Sequence, residues 1–201
     1  NTRSRGLGDV YKRQLYNIGA EGQLTMGAIF GGGIGIYLHD TSGFWVLPLM
    51  IIGGAIGGAL WGMIPAILKV RFNTNEILTS LMLVYIALLI LDYLVVGPWK
   101  DPYGYSFPKT RSFGGSGRMP LLFQGLRVHF GIIISLAAVF ASWFIFSKTM
   151  LGYQLKVTGF SPTASKYAGF NQNNLIYIAF IFSGAFAGIA CLLYTSDAAD
   201  D

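Results

Sequence analysis

The stretch "WVLPLMIIGGAIGGALWGMIPAIL" at residues 45–68 decides the class of this protein. It contains no charged residue. A helix needs about 20 mainly apolar residues to cross the hydrocarbon core of a bilayer, so this stretch is long enough to span one. The sequence therefore predicts a protein with at least one transmembrane helix.

The composition of the whole chain agrees with that prediction. Of its 201 residues, 53% are hydrophobic and only 11% are charged, which is unusual for a water-soluble domain. The net charge of +5 comes from basic residues scattered between apolar runs, and this pattern disfavours nucleic-acid binding. Cys191 is the only cysteine, so an internal disulfide and a thiolate metal cage are excluded. We expect neither a metal nor a cofactor.

Four further apolar runs are also long enough, or nearly long enough, to cross a bilayer as a helix. Together with the first they cover residues 15–38, 45–68, 76–96, 129–147 and 175–194. Backbone exposed to lipid must satisfy its own hydrogen bonds, and these runs are too long for barrel strands. We therefore predict an all-α, polytopic transmembrane bundle with about five spans and no sheet.

The two ends of the chain differ from the rest. Residues 1–14 and 192–201 are polar and lack helical periodicity. They resemble translated adapter sequence at the edges of metagenomic gene fragments. We interpret them as non-native ends, which leaves 15–191 as part of the membrane domain of a longer protein.

Small residues recur at four-residue spacing in three of the apolar runs. This spacing lets helix backbones approach closely in a membrane, so we predict tight helix packing at these positions. The ridges comprise Gly27, Gly31 and Gly35, then Gly54, Gly58 and Gly62, and finally Gly184 and Gly188.

The stretch "YNIGAEGQLTMGA" at 16–28 places polar residues at the start of an apolar run, namely Asn17, Glu21, Gln23 and Thr25. A carboxylate near the bilayer centre costs about 2.5–3.5 kcal/mol on insertion scales, so such groups normally face a bundle interior or a water-filled cavity. We predict that these residues face the interior and line a substrate pathway. The alternative is that Glu21 lies at the membrane interface near a helix start.

The run at 76–96 adds a thin polar edge. Thr79 and Ser80 follow its first residues, and we include both in the predicted pathway. Asn73 precedes Glu76 by three residues, a variant of the capping box, so we predict that Asn73 caps this helix.

The segment "GYQLKVTGFSPTASKYAGF" at 152–170 interrupts the apolar pattern. Ser161 can cap a helix, Pro162 suits its first turn and Gly169 suits its end. This predicts a helix of about two turns outside the bilayer. A simple amphipathic helix at the membrane surface is the plainer alternative.

These segments resemble a known family. The pattern "G…L…V.G.SP.AS.YAGF" resembles the cytoplasmic coupling loop of ABC-importer permeases of the branched-chain amino acid, ribose and nucleoside type. With "NIGAEGQLTMGAI", "TNEILTSLMLVYIALLILDYLVVGPWKDP" and "FSGAFAGIA", the chain is similar to the nucleoside and simple-sugar branch over about residues 15–190. Val84 departs from the pattern, because relatives often carry asparagine there.

The resemblance implies a permease of an ATP-driven importer in the bacterial plasma (inner) membrane, with a translocation path for nucleosides or simple sugars. The expected partners are a cytoplasmic ATP-binding subunit, a second permease subunit, an extracytoplasmic substrate-binding lipoprotein and membrane lipid, but no nucleic acid. The chain has no GxxxxGK[ST] motif, so we expect another polypeptide to bind ATP and this chain not to be an enzyme.

The resemblance also implies which residues contact the ATP-binding subunit. Small residues there would allow close docking, and Tyr167 or Phe170 would anchor the contact, since aromatic anchors are typical of interfaces. The numbers of lysine and arginine residues on the two sides are equal, but the short 69–75 connection places Lys69 and Arg71 beside a span, which favours 69–75 and 148–174 as the cytoplasmic side. The predicted coupling residues are Gly159, Ser161, Pro162, Ala164, Tyr167, Ala168 and Gly169.

Two other classes of protein compete with this interpretation. An ion-coupled secondary transporter would need an ionisable site in the membrane, for which Glu21 and Asp92 are the candidates. A membrane enzyme is disfavoured, because His39 and His129 lie outside the span interiors and no paired catalytic groups are visible.

Overall fold

A computed structural model describes residues 17–39, 43–101, 110, 121–123 and 126–198. Helices dominate this part of the chain. In chain order the elements are α1 (Ala20–Tyr37), α2 (Val46–Phe72), α3 (Glu76–Val96), β1 (Leu121–Phe123), β2 (Leu126–His129), α4 (Gly131–Lys148), α5 (Met150–Phe160), α6 (Pro162–Tyr167) and α7 (Gln172–Ala198).

Four of these helices, α2, α3, α4 and α7, are long and apolar enough to cross a membrane by length and composition. The predicted all-α polytopic bundle is therefore confirmed. The first predicted span is also helical, as α1, but it is not among those four. Its expected start at 15 lies outside the described residues, and the helix begins at Ala20.

The prediction of no sheet is wrong for the connection between α3 and α4. Strands β1 and β2 pair there as an antiparallel ribbon, with Leu121 opposite His129. The prediction rested on the hydrogen-bonding needs of backbone in lipid, and these do not restrict a connection between apolar helices. As a result α4 begins at Gly131, two residues later than expected.

Glycines bring α1, α2 and α7 into backbone contact, and we call these three helices the body. Gly188 of α7 lies between Gly27 of α1 and Gly54 of α2, so that a Cβ on any of them would overlap a neighbouring backbone or side chain. A Cβ on Gly58 would overlap the carbonyl oxygen of Gly184. The predicted close packing at these positions is confirmed, and it follows from the absence of side chains at the contact.

Helix α3 packs against the body through α1. Met26 and Ile29 of α1 form a buried cluster with Ala87 of α3, and Trp61 of α2 packs against this cluster. Val84, one turn before Ala87, is also buried. The contact fixes α3 beside the polar start of α1.

A second cluster closes the other end of the body. Val46 and Met50 of α2 bury Leu192 of α7. Leu192 is the first residue of the stretch that we interpret as foreign, whereas residues 1–16 and 199–201 lie outside the described part. The domain limits of 15–191 stay a prediction.

The remaining helices, α4, α5 and α6, form what we call the arm. No residue of α4 is buried, and the arm touches α7 at few points. An apolar cavity of about 290 Å³ separates the two, lined by side chains that include Phe146, Leu155 and Phe182. The arm is therefore attached to the body loosely.

The turn between α2 and α3 differs in detail from the prediction. Asn73 has a φ of 50° and ends α2 in the left-handed conformation, which favours asparagine over most residues. The cap of α3 is instead Asn75, whose Oδ1 accepts a hydrogen bond from the Ile77 amide at 3.0 Å. Glu76 pairs with Lys69 across the turn at 2.7 Å. Asn73 was wrongly predicted as the cap because its left-handed backbone cannot start a helix.

Candidate functional site

Three uncharged polar side chains meet where α1 begins. Asn17 Nδ2 donates to Gln23 Oε1 at 3.0 Å and to Ser183 Oγ of α7 at 2.9 Å. Gln23 Nε2 returns a longer hydrogen bond to Asn17 Oδ1 at 3.4 Å. Gln23 is almost fully buried, and Asn17 and Ser183 are half-buried. We call Asn17, Gln23 and Ser183 the polar cluster.

Glycines let the neighbouring helices close around the polar cluster. A Cβ on Gly62 of α2 would lie 3.2 Å from Gln23 Nε2. A Cβ on Gly19 would lie 2.9 Å from the Cβ of Ser80, which belongs to α3. These close approaches exclude bulk water around Gln23, so its amide must find protein partners. Asn17 provides them.

The other predicted pathway residues of α1 lie outside the polar cluster. Thr25 is buried, and its hydroxyl donates to the carbonyl oxygen of Glu21 at 2.9 Å. The side chain of Glu21 is exposed. Helix α1 turns Gln23 inward and leaves Glu21, two positions earlier, on another side. Glu21 therefore lies outside the polar cluster, and its place in the substrate pathway stays a prediction.

Thr79 and Ser80 bond within their own helix. Ser80 is fully buried, and its hydroxyl donates to the Ile77 carbonyl at 3.1 Å. Thr79 is half-buried and donates to the Asn75 and Glu76 carbonyls. Ser80 thus lies beside Gly19, and among the described residues neither Ser80 nor Thr79 has a hydrogen bond to the polar cluster.

Ser183 was not predicted from the sequence. It is separated from Asn17 by 166 positions, so only the folded structure shows their contact. A weak signal existed, since Ser183 directly precedes the small-residue ridge of Gly184 and Gly188. Polar side chains beside such ridges are well placed to bond across closely packed helices.

One buried donor near the polar cluster has no acceptor. Trp61 Nε1 is buried and makes no hydrogen bond among the described residues. It lies 3.3 Å from where a Cβ on Gly22 would stand, and the Cα of Val84 lies 3.0 Å from the same point. The unpaired indole therefore adjoins the position at which the sequence departs from the family pattern.

The second predicted site begins with the short helix α6. Ser161 caps it by accepting from the Ala164 amide at 3.3 Å, and Pro162 is its first residue. Gly169 follows the helix with a φ of 74°, a conformation that glycine adopts without strain. The predicted short helix is confirmed. The helix α5 before it was not predicted, and the two form a helical hairpin.

The two predicted aromatic anchors, Tyr167 and Phe170, differ in how far they are exposed. Tyr167 is 90% exposed. Phe170 instead packs edge-to-face against Tyr153 of α5, with ring centroids 6.4 Å apart. Phe160, at the end of α5, is 84% exposed. A partner would therefore meet Tyr167 and Phe160, while Phe170 holds the hairpin together.

The small residues predicted for docking are on the surface. Gly159, Ala164, Ala168 and Gly169 are all exposed. Nothing lies within 4 Å of where a Cβ on Gly159 or Gly169 would stand. Within the described ranges no group of three or more His, Cys, Asp or Glu residues could hold a metal ion. The body thus contains side chains that can form hydrogen bonds, and the arm presents an exposed surface that could contact another protein.

Four helices that are long and apolar enough to cross a membrane define a multi-pass membrane protein. Residues 10–199 match the family model of the branched-chain amino acid transport system permease component. The chain belongs to this permease family.

Several curated proteins resemble the chain. The guanosine ABC transporter permease protein NupP of Bacillus subtilis is 38% identical over 183 residues, which cover 90% of this chain and 52% of that protein. The glucose ABC transporter permease protein TsgB13 of Haloferax volcanii is 34% identical over 189 residues, or 89% and 49% respectively. The nucleoside ABC transporter permease protein NupB of Lactococcus lactis is 30% identical over 187 residues, or 90% and 51%.

The chain spans about half the length of the curated relatives it matches. No solved structure matches it. The similarity to nucleoside and sugar permeases agrees with the branch that the sequence motifs indicated.

Proposed function

We propose that this chain is part of the permease of an ATP-driven importer and contributes to a translocation path for nucleosides or simple sugars. The observation that carries the proposal is the polar cluster in the body. Gln23 is a buried amide in a chain of apolar helices, hydrogen-bonded within a group that reaches from α1 to α7. Polar side chains among the apolar helices of a membrane protein are costly to bury, so they are candidates for a functional role.

The chemistry of the polar cluster suits uncharged, hydroxyl-rich solutes. Amide and hydroxyl side chains both donate and accept hydrogen bonds, as sugar hydroxyl groups do. Asn17, Gln23 and Ser183 carry no charge that would have to be neutralised by a substrate. Relatives named for guanosine, nucleoside and glucose transport support the same class of substrate.

Exposed α6 supports the proposal of a separate ATP-binding subunit. We assign Gly159, Ser161, Pro162, Ala164, Tyr167, Ala168 and Gly169 to the contact with this subunit, on the cytoplasmic side with the 69–75 turn. A second permease subunit and an extracytoplasmic substrate-binding lipoprotein complete the proposed complex. Exposed Glu21, on the outside of this chain's helices, gives no support to an ion site in the bundle.

Transport by the full-length permease in proteoliposomes tests the proposal. The permease is reconstituted with its ATP-binding subunit and binding protein, and uptake of labelled guanosine and glucose is measured with ATP supplied on the side of the ATP-binding subunit. We expect uptake of at least one solute to require ATP and to be unaffected by an imposed proton gradient. Uptake driven by the gradient without ATP would contradict the proposal and favour the secondary transporter.

A further inference from the structure

Helix α6 turns one hydroxyl side chain into the protein. Ser165 is fully buried, whereas Thr163, Ala164, Lys166 and Tyr167 around it are exposed. The Oγ of Ser165 lies 2.9 Å from Thr158 Oγ1 of α5. Among the described side chains of α6, Ser165 is thus the only one that is removed from solvent.

A hydroxyl pair restrains two helices differently from an apolar contact. A hydrogen bond fixes both the distance and the direction between its atoms, and it weakens steeply when either changes. Apolar contact, in contrast, is non-directional. The pair between Thr158 and Ser165 therefore sets the orientation of α6 relative to α5, beyond the linkage through the chain at Ser161.

A third hydroxyl, that of Thr149, forms hydrogen bonds to both α4 and α5. Thr149 Oγ1 donates to the Ile145 carbonyl at 2.6 Å and accepts from the Gly152 amide at 3.3 Å. A Cβ on Gly152 would lie 2.6 Å from the Cα of Phe146, so only glycine fits at this corner. Helices α4 and α5 consequently meet backbone to backbone and have little freedom to bend.

We propose that Thr158 and Ser165 are positioning residues that make α6 and α5 move together, so that displacement of α6 reaches the membrane helix α4 through the corner at Thr149 and Gly152. This inference rests on the proposed contact between α6 and the ATP-binding subunit. Contiguous hydrogen bonds and close packing can carry such coupling between distant sites.

The test compares transport with ATP hydrolysis in proteoliposomes that contain the complete complex. Thr158→Val removes the hydroxyl and keeps the shape of the side chain, and Ser165→Ala removes its partner. We expect each variant to lower the number of solute molecules transported per ATP by about fivefold, because one directional hydrogen bond is lost. Thr158→Ser should restore the ratio, and the double variant should be no worse than either single one.

Matched measurements separate this inference from the proposed function. Ser135→Ala removes an exposed hydroxyl of α4 that bonds only to the Ile132 carbonyl, and it should leave the ratio unchanged. A normal ratio in Thr158→Val would overturn the inference while the proposed function stands. Loss of the ATP-binding subunit from that variant would also overturn it, because the pair would then serve docking. Failure of the unmodified permease to bind the ATP-binding subunit would instead overturn the proposed function.

Discussion

The body and the arm of this protein pack in opposite ways. In the body, the backbones of α2 and α7 touch at Gly58 and Gly184, and α1 joins them at Gly27. In the arm, α4 is as apolar as α2, yet none of its residues is buried. Both regions are apolar, so hydrophobicity alone does not explain which helices associate.

Small residues account for the difference. Lipid tails are as apolar as leucine, so helices associate in a membrane through close packing and polar contacts. The body has glycine ridges and the polar cluster, whereas α4 presents bulky side chains such as Phe140 and Trp143, which are exposed. The packing within the described part of the chain is therefore concentrated in the body.

The largest expected effect follows from filling the glycine contact. Gly188→Leu would place a large side chain between the backbones of Gly27 and Gly54, and inserting groups into a packed core costs about 1–3 kcal/mol or more. We expect the full-length permease to lose most of its folded yield and to unfold at a lower temperature in detergent. Size-exclusion chromatography and a thermal melt measure both quantities.

The matched control is Gly43→Leu. Gly43 has nothing within 4 Å of where its Cβ would stand, so the same substitution should leave yield and melting temperature near the values of the unmodified permease. Equal damage from both variants would mean that the glycine contacts do not distinguish the body.

A change at the tip of the arm should affect partner binding and leave stability intact. Tyr167→Ala removes an exposed aromatic side chain, and anchors of this kind contribute about 2 kcal/mol or more at interfaces. We expect the affinity for the ATP-binding subunit to fall at least about tenfold with no change in melting temperature. Phe170→Ala, which removes the ring packed against Tyr153, should instead lower the melting temperature. The reverse pattern would show that Phe170 is the docking anchor.

Removing the buried amide should weaken the body. Gln23→Leu leaves Asn17 without one of its hydrogen-bond partners, and an unsatisfied buried polar group costs about 1–3 kcal/mol. We expect a lower melting temperature together with reduced uptake. Glu21→Gln changes an exposed side chain of the same helix, so its melting temperature should stay unchanged. Normal uptake and stability in Gln23→Leu would remove the polar cluster from the pathway.

The smallest expected effect concerns the unpaired indole of Trp61. Val84 and Trp61 Nε1 both adjoin Gly22, so the amide of Val84→Asn would be near the indole. A new hydrogen bond between them would offset about 0.5–1.5 kcal/mol of the cost of burying the amide. We therefore expect Val84→Asn to be less destabilising in the native background than in Trp61→Phe, which lacks the donor. Melting temperatures of the four combinations measure this coupling. Additive effects would mean that the two side chains do not interact.

The sequence predicted those features that depend on local pattern. Long apolar runs indicated the helices, the glycine spacing indicated the contacts of the body, and Ser161 and Gly169 indicated the limits of α6. Each of these signals lies within one helix or at its ends. Backbone geometry therefore determines them without knowledge of the rest of the fold.

The features that were missed depend on contacts between distant segments. The bond from Asn17 to Ser183 joins residues 166 positions apart, and no local pattern encodes it. The difference between buried Gln23 and exposed Glu21 depends on how α1 rotates against α2 and α7. Helix α5 was not predicted, because its two glycines and its polar residues give it only a weak local helix signal.

Crosslinking to the ATP-binding subunit tests the central claim most directly. Single cysteines are introduced at Ala164 and at Lys100, which lies in the connection after α3, in a full-length permease with Cys191 replaced by alanine. With matching cysteines across the surface of the ATP-binding subunit, we predict crosslinks from position 164 and none from position 100. Crosslinks from position 100 alone would contradict the account, because they would show that the ATP-binding subunit contacts the opposite side of the permease.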